Sequence, residues 1–161
     1  MANDDNRPIP PWPRRRVELD SAEALRLLGS VSLGRIVFTR HALPTVRPVN
    51  HVLDHGDIVI RTHEGSALIS RTQPADGPGV VVAYEADLID PDSHLGWSVV
   101  VTGYAQRVTD PGELARCEAL VRPWVETNMA HTIRIRPDLV TGTLLTADGR
   151  SAHGDEDHGA V

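Results

Sequence analysis

Residues 44–50 read PTVRPVN, and the apolar–polar alternation around them is that of a strand carrying an arginine, Arg47, in its middle. A fixed positive charge inside a strand calls for an anion, because a charge taken out of water without a partner is costly. The next segment, RTHEGSAL, sets Arg61 and Thr62 just ahead of Gly65 and Ser66. Arginines on strands beside a Gly-Ser turn are the materials for holding a phosphate. The guanidinium offers a planar fork of donors, and a turn or helix start offers free backbone N–H groups.

Other chemistries find less support. No Cys/His pair has zinc spacing, and the glycine-rich nucleotide loops and the G-x-S-x-G elbow are missing from the sequence. His41, His51, His55 and His63 crowd one stretch without a metal-ligand repeat. His51 alternates with Asn50 and Val52, and a surface or rim position is the expectation for it. Asp90 and Asp92 read as a solvated turn, and Cys117 as a small core residue on a helix stripe. His153 and His158 sit in an acidic tail and are assigned no role. No catalytic residue is named, and no metal site is expected.

These residues need elements to hold them, and the pattern between the ends is mainly β. Residues 17–29 read as a helix, with Asp20 as its cap and Glu23 reaching back to complete a capping box. Strands are expected at 34–39, 45–53 and 58–62, the last two joined by a hairpin turn at Asp54-His55-Gly56-Asp57. A short helix is expected at 65–71. Residues 79–85 form an apolar run that reads as a strand buried on both faces, followed by an Asp- and Pro-rich loop over 86–96. A long strand at 98–108 contains Gly103, a bulge signal. Asp110-Pro111-Gly112-Glu113 opens a second helix with a cap, a first-turn proline and an acid at the positive end of the dipole. Its apolar stripe is Leu114, Cys117, Leu120, Val121 and Trp124. The last strands are 132–135 and 141–146. Six or seven strands with two or three short helices, mostly linked by hairpins, predict a small closed antiparallel barrel.

The chain has 161 residues, enough for one domain with a real core, and 40% of them are apolar and 24% charged. The expected domain is 14–146, flanked by a flexible arm at 1–13 and a flexible acidic tail at 147–161. The net charge of −6 gives no support for nucleic-acid binding. All sixteen basic residues are arginine, so lysine chemistry is excluded. A single cysteine rules out an internal disulfide, and no apolar run is long enough for a signal core or a bilayer span. A cytoplasmic location is expected.

The ordered set G-R-[IV]-x-F, P-x-x-R-P-V-N, R-T-x-x-G-S, G-W-S-V and R-P-x-x-V-T-G resembles the pyridoxamine 5′-phosphate oxidase-like family of FMN-binding split β-barrels, over about residues 17–146. The resemblance implies a homodimer with FMN in a groove at the subunit interface and a small organic substrate oxidised or reduced through the flavin. Arg47 would reach the FMN phosphate. Pro48, Val49 and Asn50 would run along the isoalloxazine, Arg61 and Thr62 would contact the ring or ribityl-phosphate, and Ser66 would add a hydroxyl. Trp97 would cover the cofactor from the partner subunit. Ala67 stands where many relatives carry a phosphate-binding lysine, which leaves more of the charge to Arg47 or Arg61. Arg134-Ile135-Arg136 stands where the true oxidases have Arg-x-His, so oxidation of pyridoxamine phosphate itself is not expected. Alternatives are a deazaflavin-dependent reductase on the same barrel and a non-catalytic flavin- or haem-binding protein. Against the site roles stand two structural readings: Arg47 ion-paired with Glu85 or another acid across the sheet, and Trp97 as plain core.

Overall fold

A computed structural model describes residues 14–63, 68, 77–122, 129 and 131–147. The expected arm at 1–13, most of the expected tail and helix 65–71, and the stripe residue Trp124 lie outside the described residues. Among the described residues there are seven strands and two helices: β1 (Arg15–Leu19), α1 (Ser21–Gly29), β2 (Leu33–Arg40), β3 (Leu43–Asp54), β4 (Asp57–Thr62), β5 (Val80–Ile89), β6 (Gly96–Arg107), α2 (Pro111–Leu120) and β7 (His131–Thr146). No helix among them is long and apolar enough to cross a membrane.

All pairings are antiparallel, in the order β1-β7-β4-β3-β2-β5-β6, and β6 also pairs with β7. That last ladder closes six strands into a barrel. β7 gives one edge to β6 along most of its length and shares the other between β4, at 131–135, and β1, at 142–146. Alternation sends Ile36, Ile58, Ile60, Val82, Tyr84, Val99, Val101, Ile133 and Ile135 inward, where all are buried, and Ala24 and Leu28 of α1 pack into the same core. α1 lies close because Gly142 has no side chain: a Cβ there would stand 2.8 Å from Ala24 Cβ.

Several expectations are corrected. Residues 15–19 are a strand, and the first helix begins only after Asp20. Asp20 does cap it, accepting from Glu23 N at 2.8 Å, but the Glu23 carboxylate turns to Arg26 instead of back to the cap. The run at 79–85 alternates and is not buried on both faces: Val82 and Tyr84 are buried while Val81 is 61% exposed. Its strand continues to Ile89, through the start of the expected loop. The two last strands are one, β7, with Pro137 opposite Gly103 where the β6 register shifts, so the expected bulge is present. A proline costs least at such an irregularity, where a ladder bond is already missing. On α2, Cys117 and Val121 are buried with Val59, whereas Leu120 is 46% exposed.

The β3–β4 turn has positive φ at both central residues, His55 at 52° and Gly56 at 88°, the backbone of a tight hairpin. Its first residue, Asp54, is only 7% exposed and joins three elements. One carboxylate oxygen accepts from Arg116 of α2 at 2.7 Å and the other from Arg134 of β7 at 2.8 Å, while Arg134 also donates to Glu113 at 2.7 Å. Burial alone would raise the Asp54 carboxyl, but the hydrogen bonds from Arg134 and Arg116 outweigh it and hold the group below the usual carboxylate range. A carboxyl depressed in the folded state stabilises above its unfolded pKa, and that contribution disappears as pH falls through the folded value. Asp54→Asn is therefore expected to lose about 2 kcal/mol in urea unfolding at neutral pH, the scale of a hydrogen-bonded buried charge. The gap to wild type should hold between roughly pH 8 and 5 and shrink below about pH 4, near the unfolded carboxyl pKa. A gap independent of pH would mean that the loss is packing and not charge.

Candidate functional site

β3 divides its two edges between different neighbours. Residues 43–50 pair with β2, and residues 51–54 pair with β4. The β3–β4 ladder stops at His51↔Ile60. Continued by its register, it would set Val49 against Thr62, but that pair is not made, while the other edge of β4 stays bonded to β7 from Ile58 to Thr62. The two strands part at His51 and leave a split in the barrel wall.

Alternation fixes what faces the split. Residues directly opposite in a ladder share a face. Arg47 is opposite the buried Ile36 and Val49 is opposite Gly34, so both lie on the inner face, with His51. Across the split Thr62 is on the inner face with Ile60. Pro48 and Asn50 lie on the outer face, and so does Arg61, level with Thr132 and next to Val59 under α2. Asn50 Nδ2 donates to the Arg122 carbonyl at 2.8 Å. Arg61 donates to the Met129 carbonyl at 2.8 Å and leans toward Glu118 at 3.7 Å, and its buried Nε has no partner among the described residues. The structure thus brings Arg47, Val49 and Thr62 to one face and separates Pro48, Asn50 and Arg61 from them. Ser66 and Ala67 lie outside the described residues.

Arg47 is exposed and, among the described residues, has no ion-pair or hydrogen-bond partner. The ion pair with Glu85 is not made. Glu85 faces outward directly opposite Arg35, whose guanidinium reaches it at 3.2 Å and also takes Asp87. Burial and the neighbouring Asp87 push the Glu85 carboxyl up, against the pull of Arg35. Trp97 is 6% exposed, opposite Leu88 and Leu144, and belongs to the main core.

At the root of the split lies a group that the sequence reading placed on the surface. His51 is 2% exposed. Its Nε2 lies 2.9 Å from the Leu28 carbonyl at the end of α1, and its Nδ1 lies 2.7 Å from the Tyr84 hydroxyl of β5. The two rings meet edge to face, 5.1 Å between centroids. Burial lowers the His51 pKa, the carbonyl of Leu28 opposing it, and burial pushes the Tyr84 hydroxyl up. A cleft of about 760 Å³ opens beside this pair, lined by Leu33, Arg35, His51, Leu53, Asp87 and Leu88 among others. The signal for His51 was the strand's own parity, which puts it on the side of Val49 and Leu53.

The profile of the pyridoxamine 5′-phosphate oxidase family matches residues 20–144. An uncharacterized protein of Mycobacterium tuberculosis is 46% identical over 151 residues, spanning 94% of this chain and 99% of its own length. Among solved structures, a candidate pyridoxamine 5′-phosphate oxidase of Corynebacterium glutamicum superposes with a TM-score of 0.70 at 36% identity, covering 83% of this chain and 100% of that one. A FAD-binding protein of Mycobacterium smegmatis gives 0.63 at 33% identity, covering 80% and 97%.

The first motif glycine has a structural reason at this site. A Cβ on Gly34 would stand 2.5 Å from the Tyr84 hydroxyl and 2.7 Å from the Glu85 carbonyl oxygen. Gly34→Ala should cost about 1–3 kcal/mol by overpacking. Adding Tyr84→Phe should recover only a small part of it, because the hydroxyl leaves while ring Cε1, 2.6 Å from the added Cβ, and the Glu85 carbonyl both stay. Urea unfolding of the two single variants and the double variant measures this coupling, and strictly additive losses would put the clash on ring Cε1 and the Glu85 carbonyl and not on the hydroxyl.

Proposed function

Because the chain belongs to the pyridoxamine 5′-phosphate oxidase family, we propose that it binds a phosphate-bearing flavin, FMN in the first instance, in the split between β3 and β4, and that it serves as a flavin-dependent oxidoreductase for a small organic molecule. The observation that carries this reading is Arg47, whose guanidinium has no partner among the described residues, on the inner-face parity of β3 at the lip of a split. Among the described residues no acid engages its side chain, and a phosphate is an anion whose oxygens its planar fork fits. The residues on the two lips suit the rest of a flavin. Val49 offers apolar surface to a ring system, and Thr62 offers a hydroxyl from the other side. The FAD-binding relative from Mycobacterium smegmatis supports a flavin without choosing between FMN and FAD.

A bound flavin supplies the redox chemistry, giving or taking a hydride, and the protein's share is to bind, orient and shield it. Arg47 anchors the phosphate and sets how deep the cofactor lies. Arg61 is already engaged by the Met129 carbonyl under α2. The proposed site therefore rests on one arginine from the described residues and not on two.

The outer sheet face supports a homodimer. Val46, Val37, Ala83, Thr102 and Leu139 form one row across five strands, and Val46 and Leu139 are more than half exposed. Exposed apolar side chains aligned on a barrel exterior, broken here only by Thr102, are the kind of surface a partner subunit would cover. Light scattering at micromolar concentration should give twice the monomer mass, and a monomer would remove the shared-site arrangement.

The test of the ligand is a fluorescence-quench titration with FMN, FAD and riboflavin. A charge-assisted contact contributes roughly 1.5–3 kcal/mol, so Arg47→Ala should weaken FMN binding by about ten- to a hundredfold. Arg47→Lys should restore only part of the affinity. Riboflavin, which lacks the phosphate, should bind wild type and Arg47→Ala equally weakly. Unchanged FMN affinity in the variant would contradict the assignment of the phosphate to Arg47.

A further inference from the structure

We propose that His51 and Tyr84 form an acid-operated hydrogen-bond switch at the root of the split, in which uptake of one proton by His51 reverses its bond to Tyr84 and turns the Tyr84 hydroxyl onto the carbonyl of Val49 in the groove lip. The neutral state follows from the partners. The Leu28 carbonyl can only accept, so Nε2 at 2.9 Å must carry the hydrogen. That leaves Nδ1 as a lone pair, which accepts the Tyr84 hydroxyl at 2.7 Å. The opposite tautomer would press two acceptors together at the Leu28 contact.

The protonated state has a ready arrangement. When Nδ1 takes a proton, it becomes a donor to the Tyr84 oxygen, and the phenol must aim its own hydrogen elsewhere. The Val49 carbonyl is within reach at 3.4 Å, a long contact while the hydroxyl hydrogen serves His51. One proton enters from solvent, and three hydrogen bonds then run in sequence from Leu28 through His51 and Tyr84 to Val49. No strand pairing has to break, because all three side-chain atoms keep their partners. The cleft that His51 lines gives water a route to the ring.

β4 presents Ile60 opposite His51, and β2 presents Gly34 and Ile36 to the Tyr84 side. α1 presents the Leu28 backbone. Tyr84 is the titratable group that β5 turns inward here, and Arg47 is the charge that β3 itself carries on the same face. Arg35, Glu85 and Asp87 point outward by parity, but Arg35 and Asp87 line the cleft beside His51, and after burial the charges of Glu85 and Arg35 reach the Tyr84 hydroxyl, Glu85 raising it and Arg35 opposing. The lowered pKa of the buried ring places the switch below the ordinary histidine range, so the neutral form prevails at neutral pH.

The dipeptide Val-Asn occurs once in the chain, at Val49-Asn50. Labelling valine carbonyls with carbon-13 and asparagine amides with nitrogen-15 therefore isolates the Val49 carbonyl as one NMR signal. In the full-length protein, one histidine ring should show the Nε2–H tautomer at neutral pH and protonate with a midpoint below about 6.5, the unperturbed value. The Val49 carbonyl should shift with the same midpoint in wild type and stay unmoved in Tyr84→Phe, which deletes only the hydroxyl. An Nδ1–H tautomer for His51 at neutral pH would overturn the switch. So would a ring that stays neutral until acid unfolding, or a Val49 response that survives in Tyr84→Phe. The tautomer needs wild type alone, so the test stands even if the variant does not fold. Any effect on ligand rests on the flavin reading: riboflavin affinity should fall through the same midpoint in wild type. Failure of any flavin to bind at any pH would remove that reading and leave the NMR result for the switch intact.

Discussion

β3 bonds to β2 along its first eight residues and to β4 along its last four, and the change of partner at His51 sets the rest of the structure. Had the β3–β4 ladder run on, the barrel wall would be closed and Arg47 would face a strand. Instead the inner edge of residues 43–50 has no strand beside it among the described residues. An unpaired strand edge is normally a liability for a soluble protein, since its N–H and C=O groups invite another chain. A groove for a ligand, flanked by a second subunit, is one way such an edge is put to use. The His51–Tyr84–Leu28 bonds hold the turning point from three elements at once, and the glycine at position 34 makes room for the phenol that completes them.

Local chemistry was the legible part of this chain. The Asp-His-Gly-Asp turn, the caps at Asp20 and Asp110 and the bulge at Gly103 are all decided within a few residues, by positive φ, by a side-chain acceptor or by a missing Cβ. The barrel as a class was also readable, because three hairpins join β2 to β3, β3 to β4 and β5 to β6. The family resemblance added the order of motifs, and the matched profile and the solved relatives agree with it.

Long-range pairing was not legible. RRVEL at 15–19 is a strand because the far end of β7 offers it an edge, and nothing inside five residues states that. Pro137 looks like a break between two strands until Gly103 is seen opposite it. The same limit applied to the site. Arg47 and Arg61 are separated by strand parity once the register is known, although both sit on strands that meet at one hairpin. Trp97 follows a glycine as an interface residue could, but at 6% exposure it packs in the main core. His51 looked polar enough for a rim, and the cost of burying it is met by two hydrogen bonds from distant elements.

A crystal structure of the protein with FMN tests the central claim most directly, because it locates the phosphate. The account predicts the phosphate on the inner face of β3, within hydrogen-bond distance of the Arg47 guanidinium, with the ring between the lips formed by Val49 and Thr62. A phosphate on the outer face beside Arg61 and α2, or away from β3 altogether, would contradict it.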